Sequence, residues 1–226
     1  LLGVITEVTV KILKSPEVVK AALIGFPTVE DAGNCVAEII AEGCIPAGME
    51  IMDKALTKAT NDYSKAGYPT DAEGMMIVEF DGTEHEVDAY MQKAKSIAEK
   101  NNSSSLKISK SNEERLKFWA GRKAAFPACG VLAPDYMCMD GSIPRGKLAE
   151  VLNEISRLSK QYGLPVANAF HAGDGNLHPL IMFDANDPES LKKCEEFGAD
   201  ILKYCVKVGG ALTGEHGVGI EKRELM

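Results

Sequence analysis

The feature that most constrains the fold is the order in which strand-like and helix-like apolar periods follow one another, because this order occurs twice along the chain. The first pass ends near residue 109 and has the order β-α-β-β-α-β. Its predicted elements are a strand at 20–26, a helix from the Thr28 and Asp31 cap to Gly43, strands near 45–52 and at 75–80, a helix at 84–100 and a strand at 105–109.

The second pass follows a linking helix at about 111–125, which holds the only tryptophan, Trp119. Its order is again β-α-β-β-α-β. The predicted elements are a strand at 135–143, a helix opened by Ser142 and Pro144 and ending before Gly163, strands at 164–171 and 177–183, a helix from Asp187 and Pro188 to Gly209, and a strand at 211–213.

This order is typical of the ferredoxin-like arrangement, in which helices cover one face of an antiparallel sheet. We therefore predict an α+β fold with two ferredoxin-like modules, at about 15–110 and 130–226, that share one sheet. Residues 1–14 are expected to be the last strand of a preceding domain. The chain opens without Met in β-branched sequence and stops in a polar, helix-favouring segment, so both ends are expected to be cut from a longer polypeptide.

Composition excludes several classes of protein. The net charge of −8, without a long basic run, argues against a nucleic-acid groove. Since there is no run of roughly 20 apolar residues, a transmembrane segment is not expected, and we predict a soluble, cytoplasmic protein. The six cysteines form no CxxC pair, which favours reduced and mostly buried thiols over a zinc knuckle or a disulfide scaffold.

Two short glycine-rich segments near the C-terminal end hold three of the four histidines. The first is FHAGDGNLHP at 170–179, and the second is GGALTGEHGVG at 209–219. In the first, a Gly-Asp-Gly-Asn turn between two apolar strands is a strong hairpin signal. Such a turn brings His171 and His178 close enough to share one cation. The fourth histidine, His85, lies at a helix start and is assigned no role.

Glu215 or His216 could complete this set of ligands. Two imidazoles and one carboxylate leave coordination positions open for a substrate, as catalytic metal sites do. The donors suit zinc, manganese or iron, with zinc expected first. Each histidine alone is more often a hydrogen-bonded core residue, and the concentration of all three in glycine-rich turns favours a site.

Four segments closely resemble the FAD-linked oxidase family, which includes D-lactate dehydrogenases and the flavoprotein subunits of bacterial glycolate oxidases. They are HAGDGNLHP, GEHGVG, the WxxR from Trp119 to Arg122, and the opening GVITEVTVKIL. The resemblance covers essentially the whole chain. It implies a substrate-binding or cap domain whose FAD is held mostly by a missing N-terminal domain.

The resemblance also implies a role for individual residues. His171, His178 and Glu215 would hold the divalent metal, and His216 would contact the substrate and take the proton of its hydroxyl. Arg122 would bind the substrate carboxylate, for which a planar bidentate donor is apt. Gly3 and Ile5 would keep backbone contact with the flavin.

Two positions depart from relatives that act on dicarboxylates. Those relatives place a lysine where this chain has Cys138 and an asparagine near Leu180, so a small monocarboxylate such as glycolate or D-lactate is favoured. The expected partners are this 2-hydroxy-acid substrate, the missing FAD-binding domain and glycolate oxidase partner subunits, through which the protein could lie at the inner membrane. The chain alone should be inactive.

Two other classes of function remain open from the residues. An open His-His-Glu site also activates water, as in metal-dependent hydrolases, and would then act without flavin. A ferredoxin-like ligand-binding module without chemistry would purify without a stoichiometric cation.

Overall fold

The computed structural model describes residues 3–226, so Leu1 and Leu2 of the predicted N-terminal strand lie outside the described residues. Residues 3–16 have no regular secondary structure. Val4, Ile5 and Ile12 are 88%, 82% and 85% exposed. A strand needs a neighbour for its N–H and C=O groups, and residues 3–16 pair with no strand among residues 3–226. The assignment of this segment to another domain stays a prediction.

The remaining chain follows the predicted double order, with one additional helix in the first pass and a single bridge in place of the last strand of the second. The strands are β1 (Val18–Phe26), β2 (Gly48–Asp53), β3 (Gly74–Gly82), β4 (Ser105–Ile108), β5 (Asp135–Cys138), β6 (Gly141–Ser142), β7 (Val166–His171) and β8 (Asn176–Phe183). The helices are α1 (Val29–Ala41), α2 (Lys54–Ser64), α3 (Glu84–Lys100), α4 (Asn112–Lys123), α5 (Ala125–Ala128), α6 (Leu148–Tyr162) and α7 (Pro188–Lys207).

All strands join one antiparallel sheet in the order β4-β1-β3-β2-β7-β8-β5, with β6 also paired to β8. The two modules meet where β2 pairs with β7, with Ile51 opposite Phe170 and Met52 opposite Ala169. Each module contributes its second strand to this junction. The predicted α+β fold, with two modules in one antiparallel sheet, is confirmed.

The two faces of the sheet carry different helices. The four long helices α1, α3, α6 and α7 pack on one face and form the larger core. The opposite face has a smaller core in which Leu56 of α2, Phe118 of α4 and Ala125 of α5 are buried. The prediction of helices on one face holds for the long helices, and the cover of the second face is an addition to it.

Helix α2 is absent from the elements predicted from the sequence, although a local signal marks its start. The Asp53 carboxylate accepts a hydrogen bond of 3.0 Å from the backbone N–H of Leu56, which is a typical N-cap. Leu56, Ala59 and Thr60 are buried at helical spacing. The cap and the spacing together predict a helix at this place.

Three predicted boundaries in the second module are wrong. The strand at 135–143 is broken between β5 and β6 at Met139 and Asp140, and α6 begins only at Leu148, after a 3-10 turn at Arg145–Lys147. The strand at 211–213 is reduced to one bridge between Ser142 and Ala211. The reason is Asp140, whose carboxylate accepts hydrogen bonds from the backbone N–H groups of residues 214–216. These N–H groups are therefore not available to pair with a neighbouring strand.

Five of the six cysteines are buried, which confirms the prediction of buried thiols. Cys138 is the exception and is half-buried at the end of β5. Among residues 3–226, no helix combines the length and the apolar character that a membrane span requires.

Candidate metal and substrate site

The turn between β7 and β8 brings two histidines together on the face of the sheet that carries α2, α4 and α5. His171 lies opposite Asn176, and His178 lies opposite Ala169, so the two histidines are diagonal neighbours on one face. Their ring centroids are 5.0 Å apart and the rings are nearly perpendicular, at 88°. The predicted approach of His171 and His178 is therefore present in the fold.

Gly175 allows this turn to form. Its φ of +75° lies in the left-handed region, and a Cβ there would stand 2.3 Å from the backbone oxygen of Ile143. A side chain would thus be both strained and excluded by backbone.

Glu215 reaches the two histidines from the loop that follows the Ala211 bridge. Its Oε1 lies 3.0 Å from Nε2 of His178 and 3.6 Å from Nε2 of His171. One donor atom from each of the three residues lies within 4.8 Å of the other two. Of the two candidates for the third ligand, Glu215 is the residue that this loop turns towards both imidazoles.

His216 lies beside this group on its open side. Its ring stacks on that of His178, with centroids 5.1 Å apart and planes at 16°. Its side chain is 45% exposed, whereas that of His178 is 2% exposed. The position leaves His216 accessible to a molecule that approaches the three donors.

Arg122, from α4, is buried and held by a carboxylate that sequence reasoning missed. Its Nε donates a hydrogen bond of 3.1 Å to Oε2 of Glu50 in β2. The other oxygen of Glu50 lies 2.7 Å from Nδ1 of His171. Nη2 of Arg122 is also within 3.1 Å of Glu50 but is not aligned for a hydrogen bond, so it lacks an acceptor.

A second missed residue, Asp140, shapes the loop that carries Glu215 and His216. Its fully buried carboxylate accepts hydrogen bonds from the Thr213 hydroxyl at 2.6 Å and from the backbone N–H of His216 at 2.9 Å. It also accepts bonds of 3.0 and 3.1 Å from the N–H groups of Gly214 and Glu215, and Nζ of Lys222 lies 3.4 Å away. Burial by itself raises the pKa of Asp140, and these hydrogen bonds, with the Lys222 charge, outweigh it and hold the pKa well below its ordinary value.

The two facing imidazoles have opposite pKa shifts. The hydrogen bond to Glu50 raises the pKa of His171 above its ordinary value. Burial, helped by the neighbouring charges of His171 and His216, lowers the pKa of His178. A neutral imidazole is the form that binds a metal, so the environment of His178 favours its use as a ligand.

A second group of three donors shares His178 and consists of Cys138, His178 and His216. The sulfur of Cys138 is 3.7 Å from Nδ1 of His178. Burial raises the pKa of the Cys138 thiol to about 12, so a cation that binds this group must also displace the thiol proton. The group of His171, His178 and Glu215 requires no thiol deprotonation, and we take it as the better candidate metal site.

Gly3 and Ile5, predicted to contact a flavin, have open surroundings among the described residues. A Cβ at Gly3 would meet no atom within 4 Å, and Ile5 is 82% exposed. Their predicted contact stays a prediction.

Comparisons with known proteins identify the family of this chain and agree with its fold. A family model described as FAD linked oxidases, C-terminal domain, matches residues 15–226. The glycolate oxidase subunit GlcD of Escherichia coli (strain K12) is 51% identical over 222 residues, which cover 98% of this chain and 44% of that protein. The mitochondrial D-lactate dehydrogenase (cytochrome) of Arabidopsis thaliana is 32% identical over 227 residues, covering 100% of this chain and 40% of that protein.

Solved structures show the same fold at low sequence identity. The 4-ethylphenol oxidase from Gulosibacter chungangensis superposes with a TM-score of 0.62 at 14% identity, covering 88% of this chain and 46% of that one. A p-cresol methylhydroxylase gives the same TM-score and identity, with coverages of 87% and 45%. The chain spans less than half the length of the curated relatives given above. By its sequence, this chain belongs to the FAD-linked oxidases and corresponds to their C-terminal domain.

Proposed function

We propose that this chain is the metal- and substrate-binding part of an FAD-dependent dehydrogenase that oxidises a small 2-hydroxy acid, glycolate or D-lactate, to the 2-oxo acid. The observation that carries the proposal is the convergence of His171, His178 and Glu215 beside Arg122 and His216. The names of the relatives, a glycolate oxidase subunit and a D-lactate dehydrogenase, support the substrate class.

The three donors fit a divalent cation. Bonds of about 2.0–2.2 Å to a common tetrahedral ion place neighbouring ligand atoms roughly 3.3–3.6 Å apart. The Glu215 oxygen is 3.0 and 3.6 Å from the two Nε2 atoms, which meets this requirement with little movement. Zinc is our first choice, and manganese and iron match the same donors.

Arg122 and His216 suit the two ends of the substrate. The guanidinium of Arg122, which Glu50 holds through Nε, is the cation of this group that can bind the substrate carboxylate. His216 is placed to accept the hydroxyl proton, since it is exposed and stacks beside His178. When bound, the metal would polarise the hydroxyl as a Lewis acid, and the flavin would accept the hydride.

The neighbours of His178 favour a substrate with one carboxylate. Cys138 and Leu180 are direct partners across β5 and β8, so the two positions that differ from dicarboxylate enzymes adjoin each other. Neither side chain carries a charge near neutral pH, given the raised pKa of the Cys138 thiol. They offer no partner to a second carboxylate.

The name of one relative also bears on the partners of the whole protein. The word subunit in the name of the Escherichia coli relative supports partner chains for this protein too. We propose a cytoplasmic protein, peripheral to the inner membrane through those partners, with the FAD-binding domain elsewhere in the polypeptide.

The test is metal content and turnover of glycolate and D-lactate by the complete, flavin-containing polypeptide after His178→Ala. Metal acting as a Lewis acid supplies several kcal/mol, so we expect kcat/KM to fall at least about 100-fold. Glu215→Gln changes a half-exposed side chain and should cause the same loss without a cavity in the core.

His85→Ala is the matched control, because His85 is exposed at the start of α3 and away from the site. It should keep full metal content and activity. Wild-type activity and full metal content in His178→Ala would refute the proposed function.

A further inference from the structure

Glu50 is a carboxylate inside a buried strand, and it contacts two residues of the site at once. It lies in β2, is 8% exposed, and occupies the strand that joins the two modules. Oε1 is 2.7 Å from Nδ1 of His171, and Oε2 accepts from Nε of Arg122 at 3.1 Å. One side chain of the first module therefore joins a histidine of the second module to an arginine of the linking helix.

The contact to His171 fixes which ring nitrogen faces the other donors. With Nδ1 as the donor to Glu50, Nε2 keeps its lone pair and points towards Glu215, at 3.6 Å. A hydrogen bond on one nitrogen sets the tautomer, and so the metal-binding capacity, of the other.

The contact to Arg122 fixes one side of the guanidinium. Glu50 occupies Nε, while Nη2 has no aligned acceptor in the buried surroundings of the site. The guanidinium is thus both oriented and left with donor capacity.

We propose that Glu50 is a positioning residue that sets the tautomer of His171 for metal binding and, through the same carboxylate, the orientation of Arg122 for the substrate. This inference rests on the proposed function. It explains why a carboxylate is kept in a strand whose neighbours Met49, Ile51 and Met52 are all buried.

A glutamine at this position cannot serve both partners. It has one acceptor oxygen and one NH2 donor, whereas His171 and Arg122 both need an acceptor. The oxygen should stay with Arg122, because hydrogen bonds to a charged group are the stronger ones. The NH2 group then faces Nδ1 of His171 and favours the tautomer with a proton on Nε2, which cannot bind metal.

A second pair on the same helix provides a control. Arg115, seven residues before Arg122 on α4, is 2.9 Å from Glu79 of β3, and both side chains are mostly buried. Glu79 also accepts a hydrogen bond from the Trp119 indole, and none of the hydrogen bonds of the described residues joins it to a histidine. Glu79→Gln therefore disturbs a similar carboxylate–arginine pair without touching the metal donors.

The experiment compares Glu50→Gln with Glu79→Gln in the complete, flavin-containing polypeptide. Zinc affinity is measured by competition with a chromogenic chelator, and kinetics with glycolate are measured over a range of zinc concentrations. We expect Glu50→Gln to weaken zinc binding about 10- to 100-fold, as for other residues that orient metal ligands. Excess zinc should restore kcat to within about threefold, whereas Glu79→Gln should change zinc affinity less than twofold.

A purely structural role for Glu50 would lower thermal stability and the active fraction without changing zinc affinity, and excess zinc would not restore kcat. That result would overturn the inference. If Glu50→Gln yields no folded flavoprotein, the zinc affinity of Glu50→Asp is measured instead. Aspartate keeps two acceptor oxygens but is shorter by one methylene, so zinc affinity must fall at least threefold. Unchanged affinity would overturn the inference.

These outcomes are separable from those of the proposed function. Loss of zinc and activity in His178→Ala with unchanged zinc affinity in Glu50→Gln would remove only the role of Glu50. Full activity of His178→Ala would remove the metal site itself, and the role of Glu50 with it.

Discussion

The two modules share one topology but join their second and third strands differently. In the first module, residues 54–73 separate β2 from β3 and include α2. In the second, only residues 172–175 separate β7 from β8. The long connection covers the sheet with a helix. The short one leaves the equivalent place open and holds His171 and His178 on the same face.

The modules also differ in their fourth strand. In the first module this strand is β4, which pairs with residues 22–25 of β1. In the second it is one bridge at Ala211, after which the chain leaves the sheet. The freed segment carries Glu215 and His216 back to the histidines. The proposed chemistry therefore lies where the second module departs from the first.

Asp140 holds that freed segment in place. Of the substitutions that test this difference between the modules, that of Asp140 should have the largest effect on metal content and kcat/KM. Asp140→Asn replaces one carboxylate oxygen with an NH2 group, so that a donor faces the Glu215 N–H where Oδ1 accepted it, and it leaves the buried Lys222 ammonium without its charged partner. Removing one partner of a buried pair costs about 3–5 kcal/mol. Misplacing a catalytic group by about 1 Å can lower the rate 100-fold.

We therefore expect Asp140→Asn to lose metal and at least about 100-fold in kcat/KM, measured beside denaturant unfolding of the complete polypeptide. Asp187→Asn is the control, since Asp187 caps α7 with a bond of 3.0 Å to Glu189 N–H and Asn caps equally well. Retention of metal and of kcat/KM within threefold by Asp140→Asn would show that the loop does not need its anchor.

Glycines in the two unequal connections should differ in their tolerance of a side chain. Gly175 has φ +75° and its Cβ would meet the Ile143 oxygen at 2.3 Å, whereas Gly67 has φ +82° with no atom within 4 Å. Gly67→Ala should cost only the left-handed strain, about 1–2 kcal/mol. Gly175→Ala adds a backbone clash and should cost about 3 kcal/mol or more. If denaturant unfolding shows the same loss of unfolding free energy for Gly67→Ala and Gly175→Ala, the turn at Gly175 has room for a Cβ.

The sequence predicts the histidine pair because the signal is local. Alternating apolar residues on both sides of Gly-Asp-Gly-Asn fix a hairpin, and a hairpin of that length places His171 and His178 on one face. The apolar periodicity of strands and helices is also a local signal. For this reason most of the double order of elements could be predicted from the sequence.

Glu50 and Asp140 were missed because their partners are distant in sequence. Glu50 binds a histidine 121 residues away, and Asp140 binds Glu215, 75 residues away. The local signal is a carboxylate inside an apolar segment, as in GMEIMD at 48–53 and MCMDG at 137–141. Such a carboxylate, when buried, must have a partner. For Glu50 the partner depends on the pairing of β2 with β7, and for Asp140 on the path of the loop at 214–216; periodicity specifies neither.

The smallest effect is expected where the two modules are alike, at the caps of the helices that follow their third strands. Thr83 caps α3 through a capping box with Glu86, and Asp187 caps α7. Both helices pack on the face of the sheet opposite the histidines. Thr83→Ala and Asp187→Ala should each lower the free energy of unfolding by about 1 kcal/mol, and zinc affinity should change less than twofold in both. A loss of zinc affinity in Asp187→Ala alone would show that the stability of α7 affects the metal site. The site would then depend on elements that the two modules share, and not only on the segments in which they differ.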